Sequence, residues 1–168
     1  QSYTNQHMNK MTTLFFATII WLPSIHFFFS ISAIEFRQEG KIAPKAKKLA
    51  EQHLQIWRSP ELRRKELNNM QLQNPEWDFM SRTYFVLSLA NMALIDPSYT
   101  DLSCDIIDDI IQNTIEIEQQ RGNTYFLMGY AHSKPWIHQP PRSIFIDGEI
   151  ALMIAARLFV RSDTEHNY

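Results

Sequence analysis

The stretch "PEWDFMSRTYFVLSLANMALI", residues 75–95, constrains the fold more than any other part of the chain. Wound as a helix, it carries apolar side chains on nearly every face, so it cannot lie on a surface with one side in water. Other elements must cover it on several sides. Asn74-Pro75-Glu76 in front of it is a helix start. A capping side chain is followed by proline at the first helical position and an acid where the helix dipole favours one. Ser59-Pro60-Glu61 repeats the signal, and Asp96-Pro97 stops the apolar helix and opens the next one.

These marks divide the chain after Pro44 into helices. Ala46, Leu49, Ala50, Leu54 and Trp57 recur at three and four, one apolar stripe with lysines opposite. From Pro60 a more polar helix carries Leu62, Leu67 and Met70 as a thin stripe. Between Tyr99 and Arg121, Leu102, Ile106, Ile110 and Ile117 share a face among Asp105, Asp108, Asp109, Glu116 and Glu118. That spacing outweighs the modest helix propensity of isoleucine, and Gly122 is a suitable terminator. A last helix ends near Arg161. No segment alternates as a strand, and no fixed-period repeat occurs. The expected fold is all-α: antiparallel helical hairpins over residues 44–161, with a polar tail at 162–168.

An apolar segment precedes this domain. Met11 to Ile34 contains no Asp, Glu, Lys or Arg. Lys10 stands before it, and the small residues Ser30, Ser32 and Ala33 stand behind. This is the layout of a secretory signal peptide, and the run is also long enough for a retained membrane anchor. A buried core helix is the third reading. Arg37, Lys41, Lys45, Lys47 and Lys48 all follow the run, and for a retained helix that bias favours placing the next segment in the cytoplasm. Residues 35–43, with Gly40, read as a linker. Residues 1–10 read as a leader or non-native extension, since the chain opens on Gln1 and Met8 and Met11 are the candidate starts. The expected location is exported (periplasmic or extracellular) or membrane-anchored.

Charge and cysteine usage narrow the function classes. A net charge of −2 over 168 residues offers no basic face for nucleic acid. The single cysteine, Cys104, allows neither an intrachain disulfide framework nor a cysteine zinc cluster. It reads as a small semi-buried hydrophobe, with a nucleophilic role near a helix start as the rival. No phosphate loop, Gly-x-Ser-x-Gly elbow or metal-ligand spacing occurs, so no metal or cofactor is expected.

The candidate site residues gather around a long loop, Gly122 to Ser143, broken by Pro135, Pro140 and Pro141 and rich in aromatics. Loops of this length are often functional. Tyr130, His132, Trp136, His138 and Arg142 lie on it as ligand-binding candidates. Trp77, Asp78 and Arg82 at the start of the apolar helix join them, and Asp78 and Arg82 are four apart and able to pair on one helix face. Asp147 and Glu149 flank Gly148 as the loop becomes helix. They are the catalytic candidates if they face a cavity in different environments. If the helix starts at Gly148, Asp147 is its cap and Glu149 a first-turn acid.

"NPEWDFMSRTYFVLSLANMAL" and "SIFIDGEIALMIAARLF", alternating with amphipathic helices, resemble inner helices of the (α/α) toroid superfamily, which includes six-hairpin glycosidases and linalool dehydratase-isomerase-like enzymes. The resemblance implies a cavity whose mouth is formed by loops. A closed toroid needs more hairpins than this chain supplies, which implies a piece of a longer protein or a smaller bundle, and no catalytic residue carries over. The expected function is a pocket for a carbohydrate or apolar small molecule, with acid/base work at Asp147 or Glu149. The alternative is a helical interaction module without chemistry.

Overall fold

A computed structural model describes residues 2–162, so Gln1 and, of the polar tail, residues 163–168 lie outside the described residues. The protein is all-α. Seven helices are found among the described residues: α1 (Ser2–Phe29), α2 (Ala33–Phe36), α3 (Pro44–Arg58), α4 (Pro60–Gln73), α5 (Pro75–Ile95), α6 (Thr100–Arg121) and α7 (Ile144–Val160). No strand occurs among them. One isolated antiparallel bridge, Gln38 to Lys41, closes a turn in which Gly40 takes φ 65°. That left-handed angle suits a residue without Cβ.

The helix starts are as local as the sequence indicates. Ser59 Oγ accepts from the Leu62 amide at 3.3 Å, and Asn74 Oδ1 accepts from the amides of Glu76 and Trp77 at 3.0 and 3.3 Å. Asp96 caps a short 3-10 turn, Pro97–Tyr99, which leads into α6. Gly122, at φ 89°, ends α6. One start differs: α7 begins at Ile144 with Ser143 as its cap, so Asp147 lies within the first turn and Glu149 beyond it.

α5 sits in the middle of the domain, against α3, α4, α6 and α7. Val86 and Leu89 are fully buried on it and share one core with Ile107, Ile110 and Ile111 of α6 and Met153 of α7, and Phe79, also fully buried, packs in a second cluster with Phe126 and Ile146. A residue stripe read as core divides here. Ala50, Leu54 and Trp57 of α3 are buried, whereas Ala46 and Leu49 are exposed. The other apolar helix, α7, packs on α5 and α6 along one face only among the described residues. α7 buries Ile146, Met153 and Arg157, and its other face leaves Ile144 at 91% and Phe159 at 77% exposure. Apolar composition alone does not put a helix inside, because burial requires neighbours on every side.

Among the described residues α1 touches no other element, and from Lys10 to Phe29 it is exposed apart from the half-buried Ile25. The segment Lys10–Phe29, 20 residues, is long and apolar enough to cross a bilayer. The reading of this run as a buried core helix is therefore overturned.

Candidate functional site

The residues singled out in the sequence separate into three groups. Asp78 and Arg82 form a buried ion pair, 2% and 1% exposed, with Arg82 Nε donating to Asp78 Oδ1 at 2.9 Å. Arg82 Nη1 donates to Asn113 Oδ1 at 2.8 Å and to Thr114 Oγ1 at 3.2 Å. The guanidinium lies 5.5 Å from the Trp57 ring and 5.4 Å from that of Phe126. Burial pushes the Asp78 carboxyl above its ordinary 3.8, and Arg82 pulls it back in part. This cluster joins α3, α5, α6 and the loop. Trp77, one residue before Asp78, is exposed to solvent.

The aromatic loop is held down by groups at both ends. Asn123 donates to Asp147 at 2.8 Å and accepts from the Ser143 amide, so the loop's entry clasps its exit. Arg142 donates to both Asp147 oxygens, and Glu118 stands 3.7 Å away. Phe126, fully buried, plugs the space between Phe79 and Ile146. Glu76 accepts from the Met128 amide and from the Tyr130 hydroxyl, which raises the Tyr130 pKa above its ordinary value. His132 stacks edge-on against Trp136 at 6.0 Å, and His138 is exposed.

Asp147 is thus engaged as a clasp, whereas the Glu149 side chain, half-buried, has no hydrogen-bond partner among the described residues. Cys104 is fully buried on α6, a position that shields it from external electrophiles. Among the described residues no three His, Cys, Asp or Glu side chains gather as metal ligands.

A spacious concavity lies elsewhere. A groove of about 840 Å³ runs between α3 and α5, with the Phe36–Ala43 segment as its third wall. Ile42, Ala46, Leu49, Tyr84, Ser88 and Ile95 line it, and His53 packs on Phe85 within it, ring to ring at 5.2 Å. No residue of the Gly122–Ser143 loop lines it. The groove exists because the facing positions are small. Ala43, Ala46 and Ala50 on one side and Ser81 and Ser88 on the other leave a gap that larger side chains would fill. Small residues at three-, four- and seven-residue spacing were a legible signal in the sequence, although each helix alone gives no hint of the other. A smaller, more polar concavity of about 260 Å³ lies between α4, α5 and α6, lined by Arg63, Arg64, Asn68, Gln71 and the edge of the Asp78–Arg82 pair.

Comparison with known proteins adds no relative: no family model, no curated protein and no solved structure matches this chain.

Proposed function

We propose that this chain is a membrane-tethered helical binding domain that holds an apolar small molecule in the groove between α3 and α5. The carrying observation is the groove itself, whose volume of about 840 Å³ falls within the ~300–1,000 Å³ of typical ligand sites. Its α3 and α5 walls are mainly apolar, with polar groups from His53, Ser81, Tyr84, Ser88 and Asn91, and its charged groups, Arg37, Glu39 and Lys41, all stand on the third wall. That mixture suits an apolar ligand better than a carbohydrate, which needs many convergent hydrogen bonds. The exposed apolar helix Lys10–Phe29 supports tethering, because so much apolar surface is stable only in lipid or after removal as a signal. A binding role is favoured over acid/base catalysis, since Asp147 is occupied by Arg142 and Asn123.

Native mass spectrometry of the full chain, released from detergent micelles, tests the ligand reading. The wild type should carry apolar adducts of small mass, and Ser88→Trp, which fills the groove from an exposed position, should lose them. Equal adducts on both proteins, or none on either after titration with an apolar ligand, would refute it. Alkaline carbonate extraction of membranes containing the chain tests the tether, which predicts retention in the pellet.

A further inference from the structure

We infer that the groove ligand is a single-chain anionic amphiphile, a fatty acid or its like, taken from the bilayer to which the chain is tethered. This rests on the ligand reading above and narrows it by three observations.

The first is shape. Along α5 the groove extends from Ser81 to Ile95, about 21 Å at ~1.5 Å per residue. One leaflet of a bilayer is about half of the ~30 Å hydrocarbon core. An acyl chain that spans a leaflet therefore fits along the groove with length left for a head group. A two-chain lipid of the same chain length would bring twice the acyl volume into the same groove of about 840 Å³.

The second is charge. Arg37 and Lys41 line the third wall against one carboxylate, Glu39. Neither cation has an ion-pair partner among the described residues, and both are exposed. The Tyr84 hydroxyl and His53 supply further polar contacts on the lining. An apolar trough with two cations on one wall, neither in an ion pair among the described residues, is complementary to a chain that ends in an anion.

The third is position. Ser30, Ile31 and Ser32 alone link α1 to α2, and three residues span at most about 10 Å. A groove wall that begins at Phe36 is thereby kept beside the end of the membrane helix. Lys45, Lys47 and Lys48 follow on α3, and a basic segment next to a membrane helix concentrates anionic lipid.

The test uses the full chain in phosphatidylcholine vesicles doped with either of two photoactivatable probes of equal chain length. One carries a carboxylate head and the other a quaternary ammonium head, and cross-linked peptides are mapped by mass spectrometry. The carboxylate probe should label α3 and α5 in the groove, and Arg37→Glu/Lys41→Glu should lower that yield roughly tenfold at low salt. Both substitutions lie at exposed positions, so circular dichroism should be unchanged. Ser88→Trp should abolish groove labelling by either probe while labelling of α1 persists. Equal groove labelling by both heads would overturn the anionic assignment and leave the apolar groove standing. Labelling confined to α1 would overturn both readings.

Discussion

Replacing the Asp78–Arg82 pair one residue at a time, and then together, separates a structural clamp from a ligand site. Asp78→Leu leaves a guanidinium at 1% exposure with only Asn113 and Thr114 to receive its protons. Removing one partner of a buried pair costs about 3–5 kcal/mol, because the other charge stays desolvated. Arg82→Met should cost a similar amount, since Asp78 then has no cation. In the double variant, Asp78→Leu with Arg82→Met, no charge is left buried. Thr114 Oγ1 still donates to the Ile110 carbonyl at 2.7 Å, and Asn113 is half-exposed and reaches water. The contacts of Arg82 with the Trp57 and Phe126 rings are lost, and methionine sulfur replaces part of them. The double variant should therefore be more stable than either single one by about 2 kcal/mol or more. Urea unfolding of the full chain in mild detergent, followed by far-ultraviolet circular dichroism, measures this, provided the three slopes agree. Additive losses would refute the clamp. The pH dependence offers a second check. A carboxyl whose folded pKa lies above its unfolded value contributes stability that is fully present below the unfolded value and lost as pH rises through the folded one. The Asp78 carboxyl is shifted upward from 3.8 by burial. Asp78→Asn should thus gain on the wild type as pH rises from below 3.8 through that window, and a trend of opposite sign would show that Arg82 outweighs burial.

Other expectations follow from the loop and the caps. Phe126→Ala empties a fully buried site and should cost about 3–5 kcal/mol, with faster amide exchange across residues 122–143. Exchange left unchanged in that segment would mean the loop is held without its plug. Asn74→Ala removes the acceptor for two amides at the start of α5 and should cost about 1 kcal/mol by urea unfolding. Asp147→Ala should destabilise by about 1 kcal/mol through loss of the Asn123 and Arg142 contacts, whereas Glu149→Ala should stay within about 0.5 kcal/mol. The reverse ranking would contradict the clasp.

The sequence by itself determined the helices from Pro44 onward and most of their limits, the start of α7 at Ile144 excepted, whereas the short α2 carried no signal of its own. Ser59, Asn74, Asp96 and Gly122 act on amides and carbonyls within a few residues of themselves, so their effect is readable without any partner. The all-α class and the separate apolar segment at the front were legible for the same reason. Burial was legible only where a helix had one possible cover. α5 was legible as central because no single neighbour can hide an all-round apolar surface. α7 looked equally apolar, yet it lies at the edge, because the described chain packs no further helix on its outer face. The candidate site was hardest to read. Asp78 and Arg82 were legible as a pair, but Asn113, Thr114 and Trp57 come from other helices. Asp147 stands out in the sequence for its place beside a glycine, and only the tertiary structure brings Asn123 to it across the loop. The α3–α5 groove belongs to neither helix. It is the space left where small residues of two helices face each other, and that facing is decided by how the whole chain packs.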